Sequence, residues 1–358
     1  MRFEDVLEIK NGRNQRAVEN PEGKYPIYGS GGIMGYADDY ICDAQTVIIG
    51  RKGSINNPIF VEEPFWNVDT AFGLSAKQDV LLPRYLYYFC RKFDFERLNK
   101  TVTIPSLTKG DLLKIEIEVP LLIEQKVIVE QLNTIEQIID LRKQELNALD
   151  ELIKARFVEL FGDMICNPNG WEKVLLGEAC DVRDGTHDSP KYFLEGYPLV
   201  TSKNVTGGKI DFADCSLICE EDYNKINQRS KVDVGDILMP MIGTVGNPVI
   251  VDIDAAFAIK NVALIKFREN STVINSFVKA LLESDYFDRA VISKVRGGTQ
   301  KFISLGDIRK LEICLPPIDV QEQFADFVKQ VDKSKVVVQK ALDEAQTLMG
   351  SLMQKYFG

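Results

Sequence analysis

The single histidine of the chain, His187, lies in Asp184-Gly185-Thr186-His187-Asp188-Ser189-Pro190. Asp, His and Ser are the ingredients of a nucleophilic triad. Neighbours in one turn do not converge on a reacting atom, however, and no Gly-x-Ser-x-Gly elbow flanks them. The stretch reads better as a polar loop that hydrogen-bonds a ligand or a base. Gly29-Ser30-Gly31-Gly32 lacks the Gly-Lys-Ser/Thr of a phosphate-binding loop, and no Gly-x-Gly-x-x-Gly follows a strand-like run. Asn57-Pro58-Ile59 and Asn247-Pro248-Val249 both fail, at the third residue, the Asn-Pro-Pro-Tyr pattern expected of an amino-methyltransferase. Cys215 and Cys219 are four apart, but neither a second pair nor a nearby histidine completes a zinc set. The seven cysteines (42, 90, 166, 180, 215, 219 and 314) are expected to be buried, reduced thiols. No catalytic residue, cofactor or metal is expected.

What remains is binding chemistry. Two loops are polar or basic: Asn99-Lys100-Thr101-Val102-Thr103 and Lys294-Val295-Arg296-Gly297-Gly298-Thr299-Gln300-Lys301. The glycines of the second would let backbone approach a phosphate closely. Reading a duplex takes side chains at base edges and positioning contacts to phosphate. The candidates are Tyr28, Ser30, Arg51, Lys52, Lys100 and Thr103 in the first half, with Thr186, His187, Lys203, Asn204, Arg296, Thr299, Gln300 and Lys301 in the second. A net charge of −10 excludes binding by bulk electrostatics. Any DNA contact must use local patches or be shared with a more basic partner. A scaffold whose paired heads bind proteins is the alternative that this charge favours.

The elements that position these loops come twice. At a spacing of 196 residues, Gly110-Asp111 matches Gly306-Asp307, Glu116-Ile117 matches Glu312-Ile313, Pro120 matches Pro316, Gln125 matches Gln321, and Phe161-Gly162 matches Phe357-Gly358. That period is too long for a solenoid unit, and the 358 residues make about two domains. After Pro120, apolar residues step by four and three: Ile128, Leu132, Ile135, Ile139, Leu146, Leu149, Ile153 and Leu160, with Arg142 and Arg156 as interruptions. The second copy carries Phe324, Val328, Val331, Val338, Leu342, Met349 and Leu352, interrupted by Lys335. This is coiled-coil spacing over about 40 residues, roughly 60 Å of helix. One such helix cannot bury its own stripe, so an antiparallel intramolecular coiled coil with pseudo-two-fold symmetry is expected. The polar seam positions can fix its register.

Residues 1–105 and 163–302 carry short β-branched runs between glycine turns and read as β-rich heads. Tyr25-Pro26-Ile27 echoes Tyr197-Pro198-Leu199, and Gly53–Pro58 echoes Gly243–Pro248, at offsets that drift. Helical stretches are expected at Pro83–Leu98 and Val273–Val295. The fold class is α+β: β-rich heads at 1–105 and 163–302, and long-helix regions at 106–162 and 303–358. No run approaches the roughly 18 apolar residues of a membrane span, and Met1–Asp5 opens no signal core. A cytoplasmic protein without membrane contact is expected.

These motifs, in order and in duplicate, resemble the specificity subunit of type I restriction–modification systems over essentially the whole chain. The first head carries Tyr25–Gly32, Gly50-Arg51-Lys52-Gly53-Ser54 and Phe65–Ala71. The second carries Trp171, Leu176-Gly177-Glu178, Asp184–Pro190 and Gly235-Asp236-Ile237-Leu238. Pro316-Pro317 with Gln321-Glu322-Gln323 is similar to the family's approach to its spacer helix, and Pro120 with Glu124-Gln125-Lys126 is the first copy. The resemblance implies a non-catalytic subunit that reads double-stranded DNA, one half of a bipartite site per head. It further implies a coiled coil that sets the spacer and docks two methyltransferase subunits, with restriction endonuclease/translocase subunits joining them. The first head begins without the Trp and Leu-Gly-Glu that open the second.

Overall fold

The computed structural model describes residues 1–100, 104–242, 245–292 and 302–358. The chain divides into two compact units, one of Met1–Gln144 with Val338–Gly358 and the other of Glu145–Val337. Two 40-residue helices, Leu122–Phe161 and Ile318–Phe357, form the arms, and each contributes to both units. Neither contains proline, and they start just after Pro120 and Pro317 respectively. Gly162 ends the first arm at φ +69°, a conformation that costs a side chain but not glycine, and its N–H reaches Val158 O at 2.8 Å.

The two units share the order of their main sheets, and the second adds a short hairpin of Val205–Thr206 with Lys209–Ile210. In the first, an antiparallel sheet runs in the order Leu7–Asn11, Ala71–Ala76, Thr46–Gly50, Ile59–Val61. In the second the order is Asp181–Asp184, Val262–Lys266, Ile237–Pro240, Val249–Ile250. A smaller sheet accompanies each. Tyr25–Gly29 lies between Gly32–Ala37 (antiparallel) and Trp66–Asn67 (parallel). Tyr197–Val200 lies between Ser216–Ile218 (antiparallel) and Ala258–Ile259 (parallel). The opening also repeats: Arg2 bridges Glu116 as Leu175 pairs with Glu312.

The central strands are buried along their length and pack on short helices. Val47, Ile49, Phe72 and Leu74 meet Tyr85, Leu86 and Phe89 of helix Pro83–Lys92, and Ile237, Met239, Ala263 and Ile265 meet Phe277, Val278 and Leu281 of helix Asn275–Leu282. The expected helical stretches are thus present but broken. A 3₁₀ turn at Phe95–Leu98 follows the first helix, and helix Asp285–Ala290 follows the second.

Within each unit the beginning of one arm packs antiparallel on the end of the other. In the first, Leu132 and Ile135 are buried with Met349 and Met353, and Tyr356 donates to Gln131 Oε1 at 2.8 Å. In the second, Phe157 meets Phe324 at 5.7 Å between ring centres, and Lys335 pairs with Asp150. Every seam residue expected from the sequence is buried or half-buried. The repeated terminal Phe now has a reason. Phe357 packs on Tyr85 at 5.0 Å and Phe161 on Phe277 at 4.8 Å, so each head is closed by the arm of the other repeat.

All seven cysteines are free. The expectation of burial holds for Cys42, Cys90, Cys180 and Cys314 and is corrected for the rest. Cys166 is exposed, and Cys215 and Cys219 are half-buried. Among the described residues no helix is long and apolar enough to cross a membrane.

Candidate nucleic-acid interface

In each head three loops leave the same ends of the strands and are laced together by backbone. In the second head the loop after Asp181–Asp184 begins with Gly185, where a Cβ would lie 2.1 Å from Ile259 O. Only glycine permits that approach. Thr186 N–H then donates to Ile259 O at 3.0 Å, Lys260 N–H to Val200 O at 2.9 Å, and Asn261 N–H to Thr186 O at 3.3 Å. Side chains tighten the join: Lys260 Nζ donates to Ser189 Oγ at 2.7 Å, and Ser202 Oγ donates to Asn261 O at 3.3 Å.

His187 is the electrostatic centre of this cluster. Its Nδ1 lies 2.8 Å from Asn261 Oδ1 and its Nε2 lies 2.8 Å from Asp184 Oδ2. Both facing atoms are oxygens, an arrangement that favours the protonated ring. The amide oxygen of Asn261 and the carboxylate of Asp184 raise its pKa above the ordinary histidine value, against desolvation and the nearby Arg229. Asp184 is buried and takes Arg229 on its other oxygen. The Ser189 hydroxyl accepts from Lys260 Nζ, while the partners of His187 are Asn261 and Asp184.

The sequence candidates divide accordingly. Thr186 and His187 are brought together, with Thr186 half-buried and His187 exposed, and Lys203 is exposed on the adjacent loop. Asn204 is corrected: it is 6% exposed, and its Oδ1 accepts from Thr201 N–H at 3.0 Å and Thr201 Oγ1 at 2.9 Å. It builds the turn instead of facing a partner, as Asn does wherever its amide satisfies local backbone. Arg296, Thr299, Gln300 and Lys301 lie outside the described residues, as does Thr103 of the first head.

The first head repeats the design with other side chains. Gly12 takes the place of Gly185: a Cβ there would meet Val68 O at 1.8 Å. Arg13 N–H donates to Asn67 O at 2.8 Å, and Trp66 Nε1 donates to Arg13 O at 3.0 Å. Arg13, Asn14 and Arg16 are exposed on this loop. Sequence reasoning passed over them. The available signal was two arginines in a turn directly after the first strand. Ser30 leaves the neighbouring strand half-buried beside Gly50, and Tyr28 stands on Phe65 at 5.4 Å between ring centres, its phenol pKa raised by burial.

Arg51 and Lys52 are exposed at the end of strand Thr46–Gly50 and held to the segment after Lys100. Leu107 N–H donates to Arg51 O at 2.9 Å, Gly53 N–H to Pro105 O at 3.1 Å, and Lys52 bridges Ser106. The second head repeats the lacing, with Ile303 N–H on Met241 O at 2.9 Å and Ile242 bridging Phe302. Lys100 is exposed but bonded to Asp111 at 2.9 Å, a contact that lowers the Asp111 carboxyl pKa. Among the described residues no group of three or more His, Cys, Asp or Glu side chains could hold a metal.

The family model of the type I restriction modification DNA specificity domain matches residues 1–151 and 168–345. Over 94% of this chain and 77% of its own length, the EcoBI type I restriction enzyme specificity subunit of Escherichia coli is 22% identical. The MjaVIII specificity subunit of Methanocaldococcus jannaschii is 25% identical over 98% of this chain and 91% of its own. Among solved structures, a type I restriction–modification S subunit from M. genitalium superposes over 100% of this chain and 95% of its own with a TM-score of 0.63 at 18% identity. A chain from a study of type I complex assembly and conformational transition superposes with a TM-score of 0.57 at 19% identity, covering 100% of this chain and 96% of its own. With two like-built heads, two seam-bearing helices and a family match spanning nearly its full length, this chain belongs to the type I restriction modification DNA specificity domain family.

Proposed function

We propose that this chain is the DNA-reading subunit of a type I restriction–modification complex, working in the cytoplasm and contributing no catalytic residue of its own. The heads, residues 1–105 and 163–302, each read one half of a bipartite duplex site. The spacer regions, 106–162 and 303–358, set the separation between the halves. The observation that carries this reading is one strand plan used twice with unlike residues on equivalent loops: Arg13-Asn14 stands where the other head has Thr186-His187. Equivalent placement with different donors and acceptors is what two different base sequences require.

In the first head, Arg13, Arg16, Arg51, Lys52 and Lys100 supply the cations, Tyr28 and Ser30 line the middle loop, and Thr103 is a further candidate contact. In the second, Thr186, His187 and Lys203 face the duplex, and Arg296, Thr299, Gln300 and Lys301 are the further candidate contacts. The partners are double-stranded DNA, two methyltransferase subunits and the restriction endonuclease/translocase subunits. The arms support a two-fold stoichiometry. Leu141 and Leu152 are exposed off the seam, and so are their equivalents Val337 and Leu348 at the 196-residue spacing. Exposed apolar residues at repeated positions suit two copies of one partner.

Duplex binding measured with the partner methyltransferase tests this reading. It predicts affinity for a bipartite site whose logarithm falls linearly with the logarithm of salt concentration. A salt-independent or absent response would instead favour the protein-binding scaffold.

A further inference from the structure

Gln125 and Gln321 are wholly buried, one at the start of each arm. An uncharged amide with no exposure must satisfy its oxygen and both N–H groups inside the protein. Each does so in the same way. Gln125 Oε1 accepts from Leu82 N–H at 2.8 Å, and its Nε2 donates to Val80 O and to Pro120 O, both at 2.9 Å. Gln321 Oε1 accepts from Ile274 N–H at 3.0 Å, and its Nε2 donates to Thr272 O at 3.0 Å and Pro316 O at 2.8 Å.

Leu82 and Ile274 are the N-cap residues of the head helices, and Pro120 and Pro316 lead into the arms. Each glutamine therefore joins the helix of a head to the base of its arm through three bonds in fixed directions. Apolar packing around the joint is non-directional and would allow a pivot that these bonds forbid.

We infer that Gln125 and Gln321 are positioning residues that fix the angle of each head on its arm, and so the separation of half-sites that the chain accepts. The inference rests on the bipartite reading proposed above. A head free to pivot would place its loops over a range of positions on the duplex, where successive base pairs stand about 3.4 Å apart. Misplacement of reacting groups by about 1 Å can already cost on the order of 100-fold in rate.

The test uses the full chain assembled with its methyltransferase subunits. Methylation is measured as kcat/KM on duplexes whose half-sites stand at the native spacing or one base pair nearer or farther. The wild-type complex discriminates between these spacings. Gln125→Leu with Gln321→Leu is expected to lose about tenfold or more of that discrimination while keeping the base preference within each half. The single variants Gln125→Glu and Gln321→Glu, which keep the oxygen acceptor, are expected to lose it in smaller steps and serve if the double variant does not fold. Val47→Ala, a core change away from the joint, controls for lost stability. Spacing discrimination unchanged in variants that melt no higher than Val47→Ala would overturn the latch and leave the bipartite reading standing. A wild-type complex that methylates no bipartite site would overturn that reading itself.

Discussion

Leu132 and Leu141 occupy one helix nine positions apart and are the same residue type, yet Leu132 is 0% exposed and Leu141 62%. Truncation of each to alanine separates the seam from the outer face. Leu132 sits among Ile135, Met349, Met353 and Tyr88, a cluster held in place by the Tyr88 hydroxyl bonded to Asn133 at 2.7 Å. A Leu→Ala change in such a site costs about 2–5 kcal/mol, because the lost burial adds to a cavity that rigid neighbours do not refill. For a unit of this size, that lowers Tm by roughly 4–20 °C at about 2–4 °C per kcal/mol. Leu141→Ala should stay within about 0.5 kcal/mol for the isolated chain. Thermal unfolding of the two purified variants gives the comparison directly. Equal losses, or a larger loss for Leu141→Ala, would refute the seam assignment and the packing that rests on it. The same Leu141→Ala variant should weaken capture of the methyltransferase subunit, which a titration of the partner would read.

Other outcomes follow from particular contacts. Lys52→Ala is expected to reduce the salt slope of duplex binding by about one if Lys52 meets a phosphate, and a slope unchanged in a folded variant would remove it from the interface. Arg13→Ala should cost about 1–3 kcal/mol and relax one base position if the guanidinium reads a guanine, which a panel of substituted half-sites would reveal. His187 gains Asp184 and Asn261 as partners, so its pKa is higher folded than unfolded. Its stabilising contribution is therefore complete below about pH 6.5 and fades as pH rises through the folded value. Tm of the second unit should fall more between pH 6 and 8 for wild type than for His187→Asn, and parallel pH profiles would contradict this. Gly185→Ala would drive a Cβ against Ile259 O and should abolish recognition of one half-site while sparing the other, as methylation of half-site variants would show.

The arms were legible because a heptad seam is local: from Gln137 to Ala155, only Ile139, Arg142, Leu146, Leu149 and Ile153 are not exposed. Four–three spacing and the absence of proline carry that information without reference to the rest of the fold. The heads were legible only as β-rich. Their strands are two to six residues long, and their shared plan depends on pairings between distant segments, one of them the parallel join of Tyr25–Gly29 to Trp66–Asn67. Gly12 could not be matched to Gly185 from sequence, since both are defined by a carbonyl that approaches from a distant segment. Hence Arg13 and Arg16 were overlooked. Asn204 was misjudged for a related reason, because a loop asparagine looks the same whether it caps its own turn or faces a ligand. Gln125 and Gln321 stood out as a repeated pair, but their bonds to the head helices appear only once the chain is folded.

In the proposed function two independent heads each read their own half of one site on a common frame. Exchange of residues 163–302 for the corresponding head of another family member, followed by mapping of methylated positions in cells carrying the partner subunits, tests it most directly. One half of the methylated site is expected to change while the other half and the spacing between them stay the same. A change in both halves, or in neither, would contradict it.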